Sequence, residues 1–559
     1  MSLTYDLAVI GAGLSGTAFL WQLAEALKAA GWHGGSRPAG LRLLVLERQA
    51  SMGPGLPHNP DYVLPFHITN MCSAQMSVCA DAPGDFQQWI AEHQADLVAE
   101  HPEWAAHFEP MAPDAADCAH FPRAVMGEYL KARCAQTLAG LREMAVVVEV
   151  QTLCEALDLQ PAAGGFRITA RRLEADAVCE FASARVLLTT GHWLPERELD
   201  DFFPTVWPAS ALAQGIRDGA RVLVLGSSLS AIETALTLSA DGVFRRSSDG
   251  RLEFRSPPQP RRLSLCSRSG QLPRVRGRRG RRANQVLTEA ALAGLAAKDP
   301  GSLKLAEVMS LLDAELRLAY GGAFDWARVV APGGSPCQQL SAFLQEARQG
   351  DGTGGEVLWQ TVLAPLLSWA SRLYLRLQEG ERDRFDREFT TLFFLHAATQ
   401  PVRNAEKLLA LMEAGVVEVI RLGDTYRLER DAGEGRWHLT HGNEHAETRH
   451  AVFDIVVDAR GQQGDYRRNP APLARSLCRS DWLAFTEGAY RGLAIDPQTH
   501  AILGRGSDGG TAPVTGLFAF GALTRGQMLD ASMARGLVLA SAKVAQGLAR
   551  DFTASPAFG

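Results

Sequence analysis

Residues 5–16 read YDLAVIGAGLSG, and the architecture follows from them outward. Tyr5 to Ile10 is a short, nearly unbroken apolar run, the kind that fills the middle of a parallel sheet buried on both faces. It breaks at once into G-x-G-x-x-G spacing, with Gly11, Gly13 and Gly16, and a helical pattern continues through TAFLWQLAEALKAA. The first glycine permits the tight turn and the second lets a pyrophosphate reach the backbone. The third allows the helix to pack closely on the strand, while Leu14 and Ser15 open the helix and present their amides to the phosphates. A second apolar run, LRLLVLE, ends in Glu47, an acid placed to accept from both hydroxyls of a ribose. Strand, glycine turn, helix, strand and terminal acid in this order predict a dinucleotide site.

The pattern recurs in mid-chain. From Ala220 the sequence reads ARVLVLGSSLSAIETALTLS, with Gly226 opening the turn, Ser228 in place of the second glycine and Ala231 in place of the third. Serine at that second position narrows the space for a pyrophosphate. The next candidate strand, RRLSLCSR, ends in Arg268 rather than an acid. An arginine there pairs with a 2′-phosphate that an acid would repel, so the second site favours NADPH over NADH. Nine arginines fall between 261 and 282; they read either as an anion-binding surface for cofactor phosphates or an acidic substrate, or as a solvated basic loop. The stretch has no aromatic residue and the chain carries a net charge of −6, which disfavours nucleic acid.

A length of 559 residues allows three or four domains at ~100–200 residues each, and an apolar fraction of 46% supports large cores. The nine cysteines (72, 79, 118, 134, 154, 179, 266, 337 and 478) form no C-x-x-C pair. They read as free buried thiols in a reducing cytosol, not as a zinc ribbon or a redox dithiol. With neither a signal-type N-terminus nor an apolar run of ~18 residues, a cytoplasmic protein without a membrane span is expected.

Further segments in order extend the pattern over nearly the whole chain, which resembles the two-dinucleotide flavoproteins. The likeness is to the FAD/NAD(P)-binding group related to flavin monooxygenases and N-hydroxylating monooxygenases. It rests on the two turns above, on SMGPGLPHNPDYVLPFHITNMCSAQMSVCADAPGDFQQWI after Glu47, on FPRAVMGEYL, on VVVEVQ, on VLLTTGHWLP, on VFDIVVDARG, and on GLFAFGALTRGQMLDASMARGLVLA near the end. The resemblance implies an α/β fold of two Rossmann-like, three-layer dinucleotide-binding domains with a helical insertion. Residues 1–205 and 416–559 would build the FAD domain, 206–283 would begin the NADPH domain, and 284–415 would hold the insertion and the rest of that domain. The insertion would roof the active site or mediate self-association; its apolar residues at helical spacing read as core.

By the same resemblance, Thr69, Asn70 and Met76 are flavin-contact candidates. Arg123, with Gly127 and Tyr129, matches a helix of the group, and backbone near Val150 would meet the adenine. Thr189-Thr190-Gly191 and Asp458 to Gly461 would be the two crossings between domains, and Gly521 would approach the flavin and its phosphates. Asn70, Arg525 and His396 are the candidates for catalysis, with His67 and His192 further acid–base candidates by residue type alone. The implied activity is NADPH-dependent monooxygenation of a small-molecule substrate through an oxygen adduct at flavin C4a, at a heteroatom such as an amino-acid nitrogen. The alternatives are a flavin oxidoreductase or oxidase without oxygen insertion, and a non-catalytic binding module on the same fold. Two departures stand out: the F-x-G-x-x-x-H-x-x-x-W signature of some relatives is absent, and His396 is followed by Ala397 where an arginine is common.

Overall fold

The computed structural model describes all residues except 1–4, 34–39, 109–118, 353, 443–447, 462–463, 489, 507–508, 530, 532 and 555–559. Two sheets organise it. The first has six strands in the order 501–505, 511–519, 186–188, 7–10, 41–46, 146–151. All neighbours run parallel except Ala501–Arg505 against Thr511–Ala519. Leu7, Ala8, Val9, Leu43, Leu44 and Val45 are wholly buried, because both faces are covered, and this is why the strands read as continuous apolar runs. Leu14–Ala29 and the C-terminal helix Ala534–Ala554 contribute to the core on one face. An antiparallel sheet of Cys154–Ala162, Gly165–Arg172 and Ala177–Ser183 closes the other.

The second sheet is all parallel, in the order 417–421, 262–267, 221–225, 455–458, 202–203. Leu229–Leu238, Pro336–Gln349 and Val402–Glu413 pack on one face, while the antiparallel strands Thr425–Asp431, Arg436–Gly442 and Arg449–Phe453 shield the other. Both sheets are thus the middle of three layers, the α/β architecture expected from the two glycine turns.

Between the second sheet's strands Arg262–Ser267 and Val417–Arg421 runs the helical block. Its own core joins Leu287, Leu312, Leu316, Val362, Leu373 and Tyr374. Its helix Pro336–Gln349 belongs instead to the core of the second sheet through Leu340, Phe343 and Leu344. Among the described residues no helix is long and apolar enough to cross a membrane.

One expectation needs correcting. Seven cysteines are free, but Cys72 is disulfide-bonded; Cys118 lies outside the described residues. No C-x-x-C spacing hints at a disulfide there, which is why the sequence did not reveal it.

Candidate functional site

The two glycine turns repeat each other residue for residue. In the first, Ile10 pairs with Leu46 and the Gly11 amide donates to the Leu46 carbonyl at 2.8 Å. In the second, Leu225 pairs with Cys266 and the Gly226 amide donates to the Cys266 carbonyl at 2.7 Å. The crossings repeat too: Thr189 N–H donates to Ile10 O and Ala459 N–H to Leu225 O, both at 2.9 Å. Gly11 and Gly226 have φ of +96° and +126°, where side chains are strained. A Cβ would lie 2.5 Å from Thr189 O at Gly11 and 2.9 Å from Ala459 O at Gly226.

In the first turn, Gly16 lies against Gly11 O, where a Cβ would sit at 2.2 Å, and Gly13 faces the Gly55 backbone. Thr189 Oγ1 donates to Gly11 O at 2.6 Å, clamping turn to crossing, and Gly191 follows with φ +65° and open space about it. The C-terminal motif arrives at the same place: a Cβ on Gly521 would be 3.6 Å from Ser15 Oγ. Leu14 is the first helical residue. Glu47 is buried and accepts from Ala12 N–H at 2.6 Å and Gln49 N–H at 2.8 Å. Desolvation pushes its carboxyl above the ordinary range despite these bonds. Val150, half-buried, is the penultimate residue of its strand and pairs with Val45.

Equivalence of the turns refines the second site. The residue standing where Glu47 stands is Ser267, with Arg268 one step beyond. Ser227 Oγ donates to Gln271 O at 2.6 Å and lies 2.8 Å from Ser267 Oγ. Arg268 is exposed, and no carboxylate pairs with it among the described residues. Ser228 caps Leu229–Leu238 through its backbone only, its side chain exposed and making no cap bond. Gly461 has φ +80°; Asp458 is buried and held by Arg460 at 2.6 Å.

Two polar ties join the sites. Arg123 Nε donates to Glu233 Oε1 at 2.8 Å with both side chains nearly buried, and His67 Nε2 lies 2.9 Å from Thr237 Oγ1. Glu233 and Thr237 sit one turn apart on the helix that begins at the second glycine turn. Arg123 N–H donates to His67 O at 2.7 Å, so one local unit, the 67–70 loop with the start of Arg123–Glu143, meets that helix. The guanidinium of Arg123 is therefore committed to Glu233. Burial and the neighbouring Arg123 push His58 down to about 3, and burial brings His67 down to about 4; both stay neutral at physiological pH.

The same loop carries Thr69, buried, with its hydroxyl donating to Met71 O at 3.0 Å, and Asn70, whose Oδ1 is buried without a described partner. His120 Nδ1 lies 2.9 Å from Thr69 O; burial and the charge of Arg276 bring this imidazole down to about 3. An orphaned buried amide oxygen is costly unless a donor completes it, so the loop offers an acceptor to a bound group. Met76 is core, packed with Phe86, Trp89 and Tyr129. Arg525 stacks over Tyr490 at 4.7 Å, and His192 lies edge-on to Trp207.

The arginine stretch divides. Arg261 is tied to Asp218 and Asp241, Arg274 to Glu346, and Arg282 to Glu315. Arg276 and Arg279 are not tied: among the described residues neither has an ion-pair partner, and the Nε of each is buried and unpaired. Desolvation, with the like charge of Arg279, lowers Arg276 to about 9, leaving it charged at neutral pH. Buried cations without counter-ions point to an anion. The charge of Arg276 is felt by His120, whose Nδ1 meets Thr69 O.

His396 lies apart, in the helical block, edge-on to Trp359 with Nδ1 2.9 Å from Leu392 O. No described contact links it to Asn70 or to either turn.

The two repeated turns on two parallel sheets have the architecture of the two-dinucleotide-binding flavoprotein fold. Residues 8–193 match a family model described as FAD-NAD(P)-binding. The chain is 23% identical over 492 residues, 82% of it and 83% of the relative, to the uncharacterized protein YdhS of Escherichia coli K12. Among solved structures it is similar in fold to the reduced form of ornithine hydroxylase PvdA from Pseudomonas aeruginosa, with TM-score 0.50, 12% identity and coverage of 98% and 99% of the two chains. It is likewise similar to DfoA, a cadaverine monooxygenase from Erwinia amylovora bound to FAD, with TM-score 0.50, 11% identity and coverage of 99% and 95%.

Proposed function

We propose that this chain is an NADPH-dependent flavin monooxygenase that oxygenates a small molecule at a heteroatom, in the first instance an amine nitrogen. The observation that supports the reading is the contact of the second turn's helix, through Glu233 and Thr237, with Arg123 and His67, which joins the elements around the two glycine turns. In this reading residues 1–205 and 416–559 form the FAD domain, and 206–415 the NADPH domain with its helical insertion.

Gly11, Gly13, Leu14, Ser15 and Gly16 would hold the FAD pyrophosphate, Glu47 the ribose, Val150 the adenine, and Gly191 and Gly521 the approach to the flavin. Gly226, Ser228 and Gly461 would line the NADPH site. Ser267 carries no charge where an acid would exclude a 2′-phosphate, and Arg268 stands free to bind one. Bound flavin and nicotinamide supply hydride transfer and activation of oxygen. The chain's part is placement: Asn70 would present an amide to the ring, and the neutral, buried His67 and His120 hold the loop through Thr237 and Thr69 O. Arg276 and Arg279 supply a positive field for cofactor phosphates or an anionic substrate group.

Five of the free thiols are poor nucleophiles: Cys79 and Cys266 are pushed up to about 12, and Cys134, Cys154 and Cys478 to about 11, by burial, so none of these five is a ready thiolate. The reading is tested by supplying amines and NADPH to the FAD-loaded protein and measuring hydroxylated product against hydrogen peroxide. Product matching NADPH consumed supports oxygenation. Peroxide alone across the amines would favour an oxidase, and no NADPH consumption would favour a binding module.

A further inference from the structure

The helical block forms a partly open cavity of ≈ 380 Å³ whose wall is almost wholly apolar, including Leu312, Leu316, Trp359, Leu363, Leu366 and Phe393. An apolar wall of this extent left facing water is unfavourable, and concave apolar sites of this kind are where small molecules bind. Its volume falls within the range of small-molecule sites. Leu529, from the loop that follows Gly521 and Arg525, forms part of the wall, so the cavity borders the segment that approaches the flavin site.

Among the described residues, three wall side chains carry a buried polar atom without a partner: Arg274 Nε, Trp359 Nε1 and His396 Nε2; the first two are donors and the third an acceptor. Arg274 is bound to Glu346 at 2.7 Å and lies over the rings of Phe343 and Trp359. Asp351 accepts from Leu358 N–H at 2.7 Å and from Tyr320 Oη. His396 uses Nδ1 on Leu392 O one turn back, which makes Nδ1 the protonated nitrogen of a neutral ring and leaves a lone pair on Nε2. That Nε2 is buried and has no described partner. It is an acceptor awaiting a donor.

We propose that this cavity binds an amine bearing a medium-length alkyl or arylalkyl group, the apolar group filling the cavity and an N–H donor meeting His396 Nε2. The assignment rests on the monooxygenase reading for its role as the substrate's pocket. It makes the substrate a lipophilic amine rather than a short, highly polar one.

Calorimetric titration of the FAD-loaded protein, without NADPH, with n-alkylamines from butylamine to decylamine tests it. The expected result is a Kd falling about fourfold per added methylene, the fold-change equivalent to ~0.8 kcal/mol per buried CH₂. Ala370, on the cavity wall, is replaced by a larger residue in Ala370→Phe; this variant should lose the chain-length dependence, with retained FAD reporting an intact fold. If Ala370→Phe does not retain FAD, Leu312→Phe serves the same purpose. Affinities independent of chain length in the wild type, or an undiminished dependence in a filled variant that keeps FAD, would overturn the proposal. Chain-dependent binding with only peroxide formed on adding NADPH would uphold the cavity and remove the oxygenation reading.

Discussion

Gly11 shows how little latitude the first site has. A methyl group there would meet Thr189 O at 2.5 Å on a backbone already at φ +96°, so Gly11→Ala should purify with little or no FAD, read from its visible absorbance relative to protein. Glu47 allows a graded test. Glu47→Gln keeps the shape but removes the charge, and charged hydrogen bonds contribute ~1.5–3 kcal/mol. FAD should therefore bind roughly 10- to 100-fold more weakly by calorimetry, and unchanged affinity would remove Glu47 from the ribose site. The buried histidines give a pH dependence with a definite sign. His67 is lowered from 6.5 to about 4 and His58 to about 3, so the unfolded chain binds protons that the folded chain refuses. Stability is fully present above pH ~6.5 and is lost as the pH falls toward 4. Melting temperature should drop between pH 7 and pH 5, and His67→Gln should flatten that drop.

At the scale of elements, the helix Leu229–Leu238 carries the connection between the sites. Arg123→Met leaves Glu233 buried without its partner, a change that costs ~3–5 kcal/mol. Arg123→Met/Glu233→Leu should recover most of that loss in a denaturant titration, whereas additive losses would show that the pair is not coupled. Both glycine turns, Glu47 and the crossings at Gly191 and Gly461 were legible in the sequence, because each is set by a few adjacent residues. The tie from Arg123 to Glu233 was not, since it spans 110 positions and neither residue sits in a motif. The strand end at 267 was misplaced by one residue: an apolar run does not show where pairing stops, and only the register made Ser267 the counterpart of Glu47. Nor could composition tell the paired Arg274 and Arg282 from the unpaired Arg276 and Arg279; that distinction depends on acids supplied by distant helices. Apolar residues of the helical block read as core, and many are, but helical spacing cannot reveal that several line a cavity.

At the scale of the whole molecule, the proposed function requires the two sites to bring one dinucleotide to another. Ser267→Asp, which recreates in the second site the acid of the first, should lower kcat/KM for NADPH at least tenfold and raise it for NADH. Arg268→Ala should lower it about tenfold for NADPH, the worth of one charge-assisted contact, and leave NADH unchanged. The central claim is that hydride passes between the two sites. Anaerobic stopped-flow mixing of the FAD-loaded protein with NADPH tests it most directly. We expect the flavin's visible absorbance to bleach in a phase that saturates with NADPH, faster than with NADH. A flavin that stays oxidised under excess NADPH, in protein shown to bind both cofactors, would contradict the account.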